Sequence, residues 1–413
     1  MKSQTISLQT RLELLSQVAG RIAQPQVRER LAKLIHQAVG KPQAWCQAEV
    51  DFCVNSFAAL AAEFQAAFQI QTFEDAERRS EVHHLPCGTV LVFSPFNSPL
   101  ECLQLALLPA LAAGNRVVVK AAPSAEVPVQ AFLELFSPEF GQQLEFHKGG
   151  AEVGKTLVQR DDVALIVFTG SQSVGREIAV EAARLLKPVI LELGGKDALI
   201  VMPDADLDQA VDMAIEGAFG FAGQVCTASE QVWVSSQIAE DFERRLMAKV
   251  QNKISAGWTE TLISSAACDR VEALIDEAVD KGAQRLSGQK RSSKSDRTLV
   301  PTVLKNVSSA TRLTRDEVFG PVLVFADFED EGEIIQAFEK SEFALGLTIL
   351  TQDLERARDL ALRLPNAMIG INSGCIGAQG TPWLGNRKSG LGMLGSIEGH
   401  RQFTSKRVLT FPK

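Results

Sequence analysis

This 413-residue sequence contains no tyrosine, and its five histidines stand at 36, 83, 84, 147 and 400. The first absence removes tyrosine as a general acid. The second leaves no HExxH or similar ligand spacing, and His83-His84 reads as a solvated loop pair, so no metal is predicted. The seven cysteines, at 46, 53, 87, 102, 226, 268 and 375, are odd in number and scattered. They form neither a disulfide framework nor a CxxC pair, which suits a reducing cytoplasm. Long apolar runs are also missing. The most apolar stretch, CLQLALLPALAAG from Cys102 to Gly114, is 13 residues long and holds a proline. A bilayer span needs roughly 20, so the stretch reads as a buried helix and a membrane is not expected as a partner. The first thirty residues mix Arg and Glu into a helical pattern and lack the apolar core of an export signal. No Lys/Arg cluster occurs, and 42 basic against 50 acidic residues leave a net charge of -8. Nucleic acid is therefore excluded as a partner.

What is present describes a globular protein, 46% hydrophobic and 22% charged, too long for one ordinary core. From about residue 7 to 70 the pattern is helical. Leu12, Leu15, Val18 and Ile22 form one stripe, and a second long run spans Ala44 to Ala67, so two helices are expected. Short apolar segments then alternate with helical ones: GTVLVFS, RVVVK, QLEFHK, VALIVF and PVILEL. That alternation predicts a parallel sheet with helices on both faces. A second series is expected to begin near QVWVS (231–235) and a helix over 237–252. It resumes at VLVFADF, LTILTQ and AMIGIN, with helices over 331–340 and 353–364. The polar stretch SGQKRSSKSDR (287–297) reads as a surface loop. The fold class is α/β, with two Rossmann-like lobes and a cleft between them where ligands usually bind.

Three stretches could carry chemistry. In VALIVFTGSQSVGREIAVEAARLL a strand runs through Thr169-Gly170-Ser171 into a helix containing Gly175, presenting free N–H groups to an anion such as pyrophosphate. The GxGxxG fingerprint is absent, and a tight turn capped by Ser171 or Ser173 explains the pattern equally well. In PVILELGGKDALIV, Glu192 ends an apolar strand before two glycines. A buried carboxylate there has the environment of a general base, whereas a solvated one would be only a strand-end residue. In FAGQVCTASE, Cys226 has no basic or histidine neighbour, and buried cysteines are commonly inert.

Taken together these stretches are less anonymous. ELGGK at 192–196 followed by GQVC, with Glu192 and Cys226 34 residues apart (226 − 192), resembles the aldehyde dehydrogenase superfamily. SPFNSPLE (94–101), GNRVVVK (114–120), FTGS (168–171), EVFGPV (317–322) and PWLGNRKSGLG (382–392) match its further motifs in order, over nearly the whole chain. The resemblance implies an NAD(P)-dependent oxidoreductase that turns an aldehyde into a carboxylic acid. Cys226 would be the nucleophile, passing through a thiohemiacetal and a thioester intermediate. Asn97 and the Cys226 N–H would hold the oxyanion, and Glu192 would activate the hydrolytic water. Lys120, Gly150, Gly154, Gly170, Ser171, Gly175, Glu317, Phe319, Ser94, Pro95 and Phe96 would contact NAD or NADP. Residues 1–193 would then hold the N-terminal helices and the cofactor-binding domain, completed by about 376–395. Residues 194–375 would form the catalytic domain, and 396–413 a candidate oligomerisation strand for a homodimer or homotetramer.

Departures from the family pattern carry expectations of their own. Family members commonly have a Glu three residues after the lysine, on the adenine-ribose 2′-OH. Pro123 stands there instead, with Glu126 three further on, which points to NADP or to use of both cofactors. The chain is short for the family, the segment between Phe73 and Val90 leaves little room for the hairpin that commonly builds the family's oligomerisation arm, the segment 256–265 is condensed, and Trp383-Leu384 replaces the usual Phe-Gly. Val225 and Thr227 beside the cysteine are uncharged, and the loop from Asn372 to Thr381 carries no charge, which favours an apolar or neutral aldehyde. Two other readings compete: a reductive or acylating relative of the glutamyl-phosphate reductase type, and a non-catalytic member that keeps the fold.

Overall fold

A computed structural model describes residues 6–413. Met1 to Thr5, where the stretch read as lacking an export signal begins, lie outside the described residues. The chain divides into two compact units. One comprises Met1–Glu192, Ala378–Trp383 and Leu391–Lys413, and the other Leu193–Gly377 and Leu384–Gly390.

The first unit opens with three helices where two were expected: α1 (Leu8–Ile22), α2 (Pro25–Val39) and α3 (Gln43–Ala67). The break falls at Gln24-Pro25, because proline suits the first helical position but cannot continue the preceding helix. Gly40, at φ 73°, closes α2 in the left-handed conformation that glycine tolerates. Leu12, Leu15, Val18 and Ile22 are all buried, as their spacing predicts.

The expectation of little room for a hairpin is wrong. β1 (Gln71–Glu74) and β2 (Arg78–Pro86) pair antiparallel, and β2 pairs along its length with the C-terminal strand Thr404–Pro412. A tight turn makes this fit: the Asp75 carboxylate accepts from the N–H groups of Glu77 and Arg78 at 2.9 and 2.8 Å. His83 and His84 therefore lie in a strand and not in a loop, and the His84 ring bonds to Thr404 Oγ1. Phe73, Val408, Leu409 and Phe411 leave this sheet with exposed apolar side chains.

The parallel strands follow: β3 (Thr89–Ser94), β4 (Arg116–Ala121), β5 (Leu144–His147), β6 (Val163–Thr169) and β7 (Val189–Glu192), in spatial order β7-β6-β3-β4-β5. Helices α4 (Pro99–Ala113), α5 (Glu126–Glu134), a short α6 (Ser137–Phe140), α7 (Ala151–Val158) and α8 (Gln172–Arg184) separate them. The CLQLALLPALAAG stretch is indeed the buried helix α4.

The second unit holds a seven-stranded sheet. Its order is Gln284–Arg285, Thr302–Lys305, Val322–Phe328, β9 (Gln231–Ser235), β8 (Ala198–Val201), Gly346–Leu350 and Met368–Ile371, parallel except for the first pair. The series does not begin near residue 231. Its first strand is β8, four apolar residues after the glycine pair, too short for periodicity to reveal alone. Leu199 and Val201 face a core with Val232, Phe242, Leu246 and Phe325, while Ala198 and Ile200 face one with Ile334, Phe338 and Leu360. A sheet covered on both faces explains the unbroken apolar strands. Helices α9 (Leu207–Phe219), α10 (Ala239–Ser255) and α11 (Ser265–Asp280) complete the part that bears on the site. The 287–297 stretch is a loop, yet not wholly a surface one. The Arg291 side chain is only 2% exposed and pairs with Glu272 at 2.9 Å. Among the described residues no helix is long and apolar enough to cross a membrane.

Candidate active site

In the first unit the residues singled out from sequence gather at one edge of the parallel sheet, where its strands reach their C-terminal ends. Ligands bind at such edges because helix N-termini and loops open there. β3 ends at Ser94, and the turn Pro95-Phe96-Asn97 leads into α4, with Asn97 9% exposed. This turn is held from below. Glu49 accepts from Leu100 N–H at 2.8 Å and pairs with Lys41 at 2.6 Å, and Lys41 also donates to Ser98 Oγ at 3.2 Å. Both charged groups are buried, so each meets the other's desolvation cost.

Lys120 lies on β4, and Gly154 on α7 leaves space beside it. A Cβ built there would stand 3.7 Å from the lysine stem and 3.3 Å from the Phe93 ring. Burial lowers the Lys120 pKa, while Glu126 opposes the shift. Glu126 itself accepts from Gly149 N–H at 2.7 Å, next to Gly150 at the N-cap of α7. Nothing lies within 4 Å of a Cβ at Gly150.

β6 leads through Gly170 and Ser171 into α8. Ser171 occupies the N-cap position, as the capped-turn alternative has it, but its side chain makes no capping hydrogen bond to the helix. Gly175 is buried in the first turn and donates to Ser171 O. The leading N–H groups of α8 are left for an anion.

Glu192 ends β7 and is 4% exposed. Among the described residues neither carboxylate oxygen meets a partner within ordinary hydrogen-bond limits. Burial holds its pKa well above the usual carboxylate range, and the Trp383 indole opposes this weakly. The solvated strand-end reading is therefore excluded.

In the second unit the glycine pair explains how two further motifs meet. A Cβ on Gly194 would fall inside the Glu317 carboxylate, and one on Gly195 would come 2.7 Å from the Cys226 carbonyl oxygen. Only glycine allows both approaches. Cys226 is half-buried in a tight turn closed by Ala228 N–H on Val225 O, and no disulfide engages it. Gln224 fixes one side of that turn, accepting from Ile263 N–H at 2.8 Å, and Glu230 N–H bonds to Asp197 O on the other. Phe221, Ala222 and Gly223 all have left-handed backbones, with φ of 47°, 59° and 68°. Two consecutive non-glycine residues there cost about 1–3 kcal/mol each, which the surrounding packing must offset.

Glu317 has one buried oxygen without a partner, and its pKa is pushed up to about 8, first by burial and then by Glu230. Phe319 is also left-handed, at φ 45°. Sequence reasoning missed Glu49, Lys41, Lys196 and Glu230. The position of Glu230, just before an apolar strand and four residues after the cysteine, does not by itself show which groups it meets.

This arrangement joins a comparison with known proteins. The chain belongs to the aldehyde dehydrogenase family, whose sequence profile it matches over residues 2–409. It is 30% identical to a probable NADP(+) succinate-semialdehyde dehydrogenase of Sinorhizobium fredii, covering 92% of this chain and 79% of that one. The NADP-dependent glyceraldehyde-3-phosphate dehydrogenase of Bacillus halodurans, solved with NADP, superposes with a TM-score of 0.90 at 30% identity, covering 98% of this chain and 87% of that chain. The betaine aldehyde dehydrogenase of Staphylococcus aureus, solved with NAD+, gives 0.91 at 28%, covering 98% and 83%. The α/β fold class and the activity class, NAD(P)-dependent aldehyde oxidation, follow from these relationships.

Proposed function

We propose that Cys226 is the nucleophile, that Asn97 and the Cys226 N–H form the oxyanion site, and that Glu192 is the base that activates water. The observation that carries this is the Glu192 carboxyl, buried with no charged partner among the described residues and only the Trp383 indole opposing the effect of burial. A group whose proton affinity is raised by burial is suited to take a proton from water. The same observation disfavours an acyl-phosphate reductase, which has no thioester water to activate.

In this mechanism the Cys226 sulfur adds to the aldehyde carbon, and the Asn97 amide and the Cys226 N–H donate to the oxygen that becomes negative. A bound nicotinamide supplies the hydride acceptor. Glu192 then removes a proton from water, the hydroxyl adds to the thioester carbon, and the Cys226 thiolate leaves as the acid is released. Residues that fit the cofactor are the uncapped start of α8 with Gly170, Ser171 and Gly175 for the pyrophosphate, and Lys120 beside Gly150 and Gly154 for the adenosine side. Ser94, Pro95 and Phe96 would line that side, and Glu317 and Phe319 would hold the nicotinamide end.

The experiment is a pair of variants followed by stopped flow. Cys226→Ala is expected to bind cofactor and oxidise nothing. Glu192→Gln is expected to give one burst of reduced cofactor and then stop. Steady turnover in either would overturn the assignment.

Because Pro123 leaves no carboxylate at the family's ribose position and the Glu126 carboxylate accepts from Gly149 N–H, a 2′-phosphate meets less repulsion there than a glutamate at 123 would give. NADP, or both cofactors, is the proposed preference, and strict NAD use in a paired assay would defeat it. The proposed substrate is a small apolar or neutral aldehyde, checked with a panel of aliphatic, aromatic and semialdehyde substrates. The exposed apolar residues Phe73, Val408, Leu409 and Phe411 support a homodimer or homotetramer formed through the three-stranded sheet, to be read by light scattering. The unbridged cysteines support a cytoplasmic setting.

A further inference from the structure

Glu230 immediately precedes β9, four residues after Cys226, and is 4% exposed. One of its carboxylate oxygens serves a backbone turn and the other a lysine. Oε1 accepts from Val318 N–H at 2.7 Å and from Phe319 N–H at 2.9 Å, while Oε2 takes Lys196 Nζ at 2.5 Å. Arg270 on α11 clasps the same turn from the opposite polarity, donating to the carbonyl oxygens of Glu317 at 3.1 Å and Val318 at 2.6 Å. The turn so gripped contains the left-handed Phe319 and packs its Gly320 carbonyl against Gly223, where no side chain could fit. Two consecutive N–H groups converging on one oxygen is what a strained turn needs if it is not to relax to an extended form. A charged acceptor supplies more of that than a neutral one.

We propose that Glu230, charge-balanced by Lys196, is a positioning residue that holds the Glu317–Phe319 turn in its cofactor-binding shape and ties it to the nucleophile loop. This rests on the reading of Glu317 and Phe319 as cofactor contacts. Glu230 touches neither substrate nor cofactor, and it acts through the two N–H groups it holds. The charged groups facing Glu317 are Glu230, Arg270 and Lys196, with Asp197 close by. Glu230 and Lys196 therefore act on Glu317 with opposite sign, and that distinguishes positioning from simple packing.

The test titrates NADP and NAD against tryptophan fluorescence across pH, alongside steady-state kinetics, for Glu230→Gln, Lys196→Met, the double variant and Glu317→Gln. Glu230→Gln keeps an acceptor oxygen but loses the charge, so the cofactor Kd and KM are expected to rise about tenfold, with the effect on KM rather than kcat. Its pH midpoint for cofactor binding is expected to fall by about one unit, and that of Lys196→Met to rise, because each removes one of two opposed charges beside Glu317. A residue that merely filled space would weaken binding in both variants without opposite shifts. Should either single variant fail to fold, the double variant removes both charges together, and it is expected to fold and to bind cofactor about threefold to tenfold more weakly. Unchanged affinity and an unchanged midpoint in Glu230→Gln or the double variant would overturn the proposal. Glu317→Gln with unchanged cofactor affinity would instead overturn the reading of Glu317 on which it stands.

Discussion

Glu192 and Glu230 are both 4% exposed; Glu192 closes one apolar strand and Glu230 immediately precedes another, one in each unit. Their surroundings are opposite. Glu230 spends each oxygen on a defined donor, a lysine and two backbone N–H groups. Glu192 has no donor within ordinary hydrogen-bond limits for either oxygen. Burying a carboxylate is costly in both places, and only at Glu230 does the fold offset the cost locally. The difference separates two uses of one residue type. A carboxylate bonded to charged and backbone donors is a fixed part of the frame, and one buried without such donors has its proton affinity raised.

The sharpest way to break this comparison is to neutralise the one group and to remove the other. Glu192→Gln is expected to lower steady-state turnover about a thousandfold, the range of a lost general base, while the protein folds at least as well as before. Glu230→Ala is expected to do the reverse. It leaves Lys196 and two N–H groups buried without partners, so stability measured by denaturant unfolding is expected to fall by about 3–5 kcal/mol. Equal loss of stability in the two variants would erase the distinction.

This distinction was half legible in the sequence. Glu192, Cys226 and Asn97 were singled out because their motifs are contiguous, and the two α/β lobes were legible because strand and helix periods alternate over long runs. Glu230 escaped because its importance lies in contacts with residues 34 positions upstream and 88 downstream, which no local pattern encodes. The glycine pair was quoted, but its reason, room for the Glu317 carboxylate and the Cys226 carbonyl, needs three separated segments at once. β8 was missed because four residues are too few to show a period. The β1–β2 hairpin was missed because its turn is stabilised by one aspartate that reads, in sequence, as part of a charged run.

Glu317 sharpens the comparison through pH. Its carboxyl is raised from 4.5 to about 8, so the folded state holds a proton that the unfolded chain has already released between those values. A carboxyl raised in this way favours folding below its ordinary pKa, and that stability is lost as the pH climbs toward 8. Glu317→Gln removes the loss. At pH 8 the variant is expected to be more stable than the parent by about 1–3 kcal/mol, allowing for residual solvent at the group's edge, with the difference shrinking toward pH 4.5. A difference independent of pH would show that the carboxyl is not titrating in the folded protein.

The smallest effect sets the other limit of the same comparison. Lys305 and Glu243 form an ion pair like Lys196 and Glu230 but lie nearer the surface, with side chains 29% and 26% exposed against 2% and 5%. Water solvates the partner that remains when one is removed, so the pair contributes little beyond its ordering cost. Lys305→Met is expected to change stability by about 0–1 kcal/mol, and raising the salt concentration should remove even that. Were Lys305→Met as damaging as Glu230→Ala, burial would not be the reason that Glu230 matters, and the two backbone N–H groups it holds would be left as the only source of its effect.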